Sequence, residues 1–178
     1  AVLRVALVAD LNGSVIASAE RGLCWPLASA PNLARSCGNG TQACSTNQSS
    51  TYLGFGASRA VDGNRNQNQS FGACMSTAQQ QAPWWRVDFG ISKKVLGGTL
   101  WNRGDQYPER LDGFKVYVGD GETGWADPAN RLCYTDVVTR QASHEFLPWK
   151  HTFECIGSGR FVYVMLPTMQ YLTICEIE

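Results

Sequence analysis

Trp101-Asn102-Arg103-Gly104-Asp105-Gln106-Tyr107-Pro108-Glu109-Arg110 places two arginines around an aspartate in a short turn between two strand-like runs. Upstream, Val95 to Trp101 is apolar with paired glycines. Downstream, Phe114, Val116 and Val118 alternate with Lys115 and Tyr117, the period of two expected of a strand with one buried face. A loop held on a rigid β scaffold is where binding groups usually sit. Arginine offers a planar fork of donors that stays charged, and a neighbouring aspartate can hold one fork still while its outer N–H groups face a ligand. Such a group suits a neutral polyol or an anion. Taken alone, an Arg-x-Asp is more simply a surface salt bridge.

Working outward, Pro83-Trp84-Trp85-Arg86-Val87-Asp88-Phe89-Gly90 reads as a strand. Two adjacent tryptophans on a strand point to opposite faces, one into the core, and core packing explains them better than sugar stacking. Phe161 to Leu166 and Leu172 to Ile177 read as two further core strands joined by Pro167-Thr168-Met169-Gln170. No helical period of useful length and no internal repeat interrupts this pattern. An all-β chain, an antiparallel β-sandwich of jelly-roll type, is the expected fold. At the other end, Ala1 to Val8 and Val15-Ile16-Ala17 predict a hairpin around Asp10-Leu11-Asn12-Gly13-Ser14. From Gly22 to Asn47 the pattern dissolves into Gly, Pro, Ser and Asn, punctuated by Cys24, Cys37 and Cys44. Residues 1–42 are set apart as an extension, with the main domain over 43–178, on the resemblance described below.

Lysine plus arginine equals aspartate plus glutamate at 15 each. With no net charge to attract a polyanion, nucleic acid is not an expected partner. No apolar run approaches the roughly 20 residues that cross a bilayer, so membrane insertion is not expected either. The chain opens without methionine, and Ala1 to Ala9, which contains Arg4, is too short for a signal core plus cleavage site; a processed protein or a piece of a longer one is expected. Seven cysteines without a Cys-x-x-Cys spacing favour disulfides over a metal. The sequons at Asn12, Asn39, Asn47 and Asn68 agree with a secreted, extracellular glycoprotein.

Catalysis finds little support. His144 and His151 lie in no triad pattern. A glycosidase needs two carboxylates facing across a cleft, and Asp105 with Glu109 is better explained as partners of the arginines. In Arg59-Ala60-Val61-Asp62-Gly63-Asn64, the side chains of Asp62 and Asn64, together with Glu176, are hard oxygen ligands of the kind Ca²⁺ gathers to reach about six to eight oxygens. Asp-Gly-Asn is equally an ordinary Asx-turn sequence.

In series, the "QSSTY…ASRAVDGN" opening (Gln48 to Asn64), the tryptophan pair, Asn102-Arg103-x-Asp105-x4-Arg110-Leu111, Arg160-Phe161-Val162-Tyr163-Val164 and the Cys175-Glu176-Ile177-Glu178 ending resemble the F-type lectins, the fucolectin family, from about Ala43 to Glu178. The resemblance implies a structural Ca²⁺ held by the side chains of Asp62, Asn64 and Glu176 and by the main-chain oxygens of Arg59, Ala73 and Cys175. It implies disulfides Cys74–Cys175 and Cys133–Cys155. Cys24, Cys37 and Cys44 are then an odd set, with one free, joined to another chain, or partnered outside this sequence.

Family members bind fucose through a histidine and two arginines, backed by an adjacent Cys-Cys disulfide. The arginines match Arg103 and Arg110, and the acid between them matches Asp105. The histidine position falls on Ser76 in Cys74-Met75-Ser76-Thr77, and Gln106-Tyr107 replaces the cysteine pair. A serine reaches a sugar hydroxyl only through water, and one lost hydrogen bond is worth roughly 0.5–1.5 kcal/mol. Tyr107 or Phe71 then offers an aromatic platform. The implied function is a calcium-stabilised lectin binding fucosylated or related glycans, in an extracellular recognition or adhesion protein. The alternative is a module that keeps the fold but works by contact with other protein subunits.

Overall fold

The strand predicted at Trp84–Phe89 and the apolar run at Val95–Trp101 are one continuous strand of 18 residues. A computed structural model describes residues 7–9, 15–17, 31–38, 40, 42–137 and 149–178, and the chain divides into two units, 1–30 and 31–178. In the first, β1 (Leu7–Ala9) and β2 (Val15–Ala17) form the predicted antiparallel hairpin, with Val8 opposite Ile16. Cys24 and the sequon Asn12 lie outside the described residues, as do Asn39 and His144.

The second unit begins at Pro31, twelve residues earlier than the boundary at Ala43. The difference has a local cause. Asn32 caps a 3-10 turn over Leu33–Arg35 by accepting the Ala34 N–H at 3.0 Å, and Ala34 is buried. The Ala34 carbonyl then accepts the Cys44 N–H at 2.8 Å, and a Cys37–Cys44 disulfide closes the loop between them. Lys93 Nζ donates to the Ser36 carbonyl at 3.0 Å. A segment too rich in Gly, Ser and Asn to read as structure is thus held by caps and a covalent staple.

The remaining strands are β3 (Ser45–Gln48), β4 (Met75–Ser76), β5 (Gln80–Gln81), β6 (Trp84–Trp101), β7 (Lys115–Gly119), β8 (Asn130–Thr135), β9 (Lys150–Met165), β10 (Met169–Gln170), β11 (Thr173–Ile174) and β12 (Glu176–Ile177). A six-stranded antiparallel sheet runs β12-β6-β9-β7-β8, with β3 also paired to β6. Two short ladders, β4–β11 and β5–β10, complete an antiparallel β-sandwich. Register shifts at Asp88/Lys93 and Val95/Gly97 interrupt the β6–β9 pairing. The buried side chains of β6 accordingly pass from Trp85, Val87, Phe89 and Val95 to Leu100, as an irregularity that re-aims a strand requires. Gly97 sits where a Cβ would collide with the Phe153 carbonyl, so only glycine allows that approach.

Leu172–Ile177 is two short strands rather than one. β11 pairs with β4 and β12 with β6, because Cys175 between them is tied by a disulfide to Cys74 and donates its N–H to the Trp101 carbonyl at 3.0 Å. The second implied disulfide, Cys133–Cys155, links β8 to β9. Trp85 is fully buried, its indole N–H donating to the Ala57 carbonyl at 2.9 Å, while Trp84 meets Tyr163 edge-on across 5.8 Å. Around Trp85 the core gathers Met75, Leu100, Leu111, Phe114, Leu172 and Ile174. Truncating a buried tryptophan of this kind costs about 3–5 kcal/mol. His151 lies within β9, its Nε2 2.7 Å from the Tyr134 hydroxyl and its ring against Phe114 and Phe153, a structural position.

Candidate functional site

The turn after β6 is built around Asn102, which is buried. Its N–H donates to the Trp149 carbonyl at 2.9 Å, its Nδ2 to the Pro108 carbonyl at 2.9 Å, and its Oδ1 accepts the Arg103 N–H at 2.7 Å. One side chain therefore ties the start of the turn to its end. The Gly104 N–H donates to the Gln67 carbonyl at 2.8 Å, joining this turn to the polar loop before Cys74. Tyr107 adopts φ 54°, ψ 47°, an uncommon left-handed conformation for a residue with a Cβ, and opens a 3-10 turn over Pro108–Leu111 whose Leu111 is anchored in the core. These constraints turn Arg103 and Arg110 toward one cavity of about 350 Å³.

Arg103 and Asp105 form the expected fork, with Nε to Oδ1 at 2.7 Å and Nη2 to Oδ2 at 2.9 Å. Asp105 also accepts the Gln69 N–H at 3.2 Å and the Ser70 hydroxyl at 3.3 Å. The Arg103 hydrogen bonds, reinforced by the Gln69 N–H and the Arg103 charge, hold the Asp105 carboxyl down at about 2 despite its partial burial. Arg110 is placed differently. Its guanidinium carbon is 4.1 Å from the centre of the Tyr107 ring and 4.4 Å from that of Tyr171, so aromatic rings flank it.

Tyr52, Phe55, Gln69, Ser70, Ser76 and Gln106 complete the described cavity wall with Tyr107 and the arginines. Of the residues singled out from sequence, Arg103, Arg110, Ser76 and Tyr107 meet here, and Asp105 stands behind Arg103. Phe71 does not line the cavity. It ends the Gln69–Phe71 turn with its ring 78% exposed, because the neighbouring Ser70 takes the inward position. Ser76 is only 2% exposed, its hydroxyl 3.2 Å from the Thr77 carbonyl and 3.4 Å from the Thr173 hydroxyl. Sequence reasoning missed Tyr52, Phe55, Gln69, Ser70 and Tyr171. None belongs to a motif that signals chemistry, and Tyr171 reaches Arg110 only through the β11–β4 pairing of the neighbouring residues.

The loop between Asp62 and Ser70 is a run of Asx turns. Asp62 accepts the Asn64 N–H at 2.8 Å, Asn64 that of Asn66 at 3.1 Å, Asn66 that of Asn68 at 2.9 Å, and Asn68 that of Ser70 at 2.9 Å. Across from it Glu176 is fully buried, its two oxygens accepting the Gly63 N–H at 3.1 and 3.2 Å. Burial, with smaller contributions from the charges of Asp62 and Glu178, pushes the Glu176 carboxyl up to about 8. Arg59 donates Nη1 to the Gly72 carbonyl, next to the buried Ala73. Cys74–Cys175 then fastens this loop to the strand that carries Glu176. Among the described residues there is no cluster of three or more His, Cys, Asp or Glu side chains arranged to hold a metal.

The family model of the NedA-like, galactose-binding domain matches residues 59–148. Fucolectin from Anguilla anguilla is 35% identical over 126 residues, which cover 68% of this chain and 74% of that protein. Fucolectin-6 from Anguilla japonica is 35% identical, and the match spans 61% of its length. Among solved structures, an F-lectin from Morone saxatilis serum superposes with a TM-score of 0.65 at 36% identity, covering 76% of this chain and 45% of that one. The lectin domain of lectinolysin, solved with Lewis B antigen, gives a TM-score of 0.63 at 25% identity and covers 82% of this chain and 94% of that one. At this identity and coverage the chain belongs to the fucolectin family of F-type lectins, as a carbohydrate-binding module.

Proposed function

We propose that the cavity between Arg103 and Arg110 binds fucose or a related sugar of an extracellular glycan. The observation that carries this reading is the convergence of two guanidiniums and Tyr107 on one open cavity, with Asp105 fixing the first fork. Asp105 occupies Nε and Nη2 of Arg103, which leaves Nη1 to donate to ring and hydroxyl oxygens. Tyr107 is half exposed and supplies an apolar face for sugar C–H groups.

Calcium belongs to the same reading. A fully buried carboxylate, bonded to one backbone N–H and facing the charges of Asp62 and Glu178, is only partly offset by the nearby Arg35 guanidinium. Side-chain oxygens of Asp62, Asn64 and Glu176, with main-chain oxygens of Arg59, Ala73 and Cys175, are a donor set suited to a hard cation. Bound there, Ca²⁺ would neutralise these carboxylates and brace the loop that carries Gln69 and Ser70 to the cavity wall. Three disulfides and the surface-exposed sequon at Asn47 support a secreted glycoprotein.

One observation favours the alternative, a module that contacts protein subunits in an adhesive assembly: Ser76 is buried with its hydroxyl turned to the Thr77 carbonyl, so that wall of the cavity presents no strong donor. Calorimetric titration with L-fucose and D-galactose, and a glycan array, each with and without chelator, tests the choice. Saturable binding at millimolar sugar or below supports the lectin reading; silence across all sugars overturns it in favour of the alternative.

A further inference from the structure

We propose that the cavity selects a saccharide bearing an anionic substituent, a sulfate ester or a carboxylate, seated against Arg110. This rests on the carbohydrate-binding reading and names the ligand class within it. Asp105 is the acid associated with the site, and its two oxygens are taken by the Arg103 fork, the Gln69 N–H and the Ser70 hydroxyl. No carboxylate lines the cavity among the described residues, and none of the ion pairs among them involves Arg110. Arg59 stacks on Phe55, a wall residue, at 5.4 Å and adds a further positive charge nearby. With the Arg103 charge balanced, the cavity presents the unbalanced positive charge of Arg110 to whatever enters.

The geometry around Arg110 gives that charge a direction. Tyr107 and Tyr171 pack on the guanidinium, and Tyr52 meets the Tyr171 ring edge-on at 5.3 Å, steadying the platform. With two rings this close to its centre, the guanidinium is held in place while its N–H groups serve as the route to a ligand. An arginine fork held between aromatic neighbours is matched to the paired oxygens of a sulfate or carboxylate, where bidentate, charge-assisted bonds are roughly twice as strong as neutral ones. The ring hydroxyl of a neutral sugar uses only part of this donor set. Room for the substituent comes from Ser76, whose small buried side chain leaves that wall open within the 350 Å³.

The test is calorimetric titration of the intact chain at low and at raised salt. The probes are L-fucose, D-galactose, galactose 3-sulfate, D-galacturonic acid and inorganic sulfate. One or both of the charged sugars should bind at least about tenfold tighter than their neutral parent at low salt, and that preference should shrink as salt rises. The two charged probes separate sulfate from carboxylate. Arg110→Gln should abolish the preference, and Arg110→Lys should restore only part of it, because the charge returns without the fork. Equal affinity for charged and neutral sugars overturns this inference while leaving the lectin reading intact. Inorganic sulfate binding as tightly as the sulfated sugar overturns it as well, since the site would then be a simple anion site. Silence with every sugar overturns both.

Discussion

The turn 102–111 and the loop 62–70 are both polar, both lack a regular ladder, and both adjoin the same cavity, yet they settle their charges in opposite ways. In the first, the one acid is gripped from within the turn: Asn102 ties its ends, Asp105 holds Arg103, and Tyr107 of the turn with Tyr171 from the sandwich packs near Arg110. In the second, short side chains cap successive backbone N–H groups, but the nearby carboxylate of Glu176 is buried with a single backbone donor. A turn that neutralises its own charge can present a surplus one to a ligand. A loop beside a buried acid that Arg35 only partly offsets is, on the reading proposed above, suited to a counter-ion from outside the chain. On the proposed reading the two regions take opposite partners, an anion-bearing or hydroxyl-rich ligand for one and a metal cation for the other.

The sharpest way to break this contrast is to remove the cation. With calcium in excess over its dissociation constant by about a hundredfold, binding stabilises the native chain by about 2.7 kcal/mol. Chelation should lower the thermal midpoint accordingly, and Glu176→Gln, which removes the β12 carboxylate facing the loop, should abolish most of the calcium response. Differential scanning fluorimetry with and without EDTA reads both. A midpoint indifferent to calcium in the native chain would mean that loop 62–70 is as self-sufficient as the arginine turn, and the comparison would collapse.

Some of this arrangement was legible in the residues, and some was not. The alternation of Phe114, Val116 and Val118 announced β7, and the tryptophan pair announced a strand with one ring in the core, which the structure shows to be Trp85. The continuity of β6 was hidden, because the polar run at Ser92-Lys93-Lys94 and the glycines at 97 and 98 imitate a turn when they mark irregular pairing with β9. The Arg103–Asp105 fork was readable because partners two residues apart are fixed by local geometry. The flanking of Arg110 was not, since Tyr171 lies 61 residues away and arrives through the sandwich topology. Phe71 failed as a platform for a related reason: periodicity fails in a run of Asx turns, so nothing local says which of Ser70 and Phe71 faces inward.

A second, smaller effect tests the arginine turn. Because hydrogen bonds from Arg103 hold the Asp105 carboxyl at about 2, below its ordinary 3.8, the fork contributes stability that is fully present above pH 3.8 and is lost as pH falls through 2. Sugar binding should thus survive at pH 4, where an unpaired carboxyl would be substantially protonated. Asp105→Asn should mimic the protonated state at neutral pH and weaken binding by roughly 1.5 kcal/mol, the scale of a hydrogen bond to a charged group. If the variant binds sugar as the native chain does, Arg103 needs no aspartate to be positioned.

The smallest effect concerns the wall that neither region controls. Ser76 sits on β4 with its hydroxyl committed to Thr77, so its replacement need not disturb the arginine turn or the loop. Ser76→His introduces a ring donor at that wall, and a single added hydrogen bond should tighten fucose binding by up to about tenfold. The same ring fills space that a charged substituent would use, so affinity for a sulfated or carboxylated sugar should fall. Titration of both ligands against the variant separates the two contributions. A histidine that improved both equally would show that the serine only removes a donor, whereas opposite shifts would show that its small size selects the ligand.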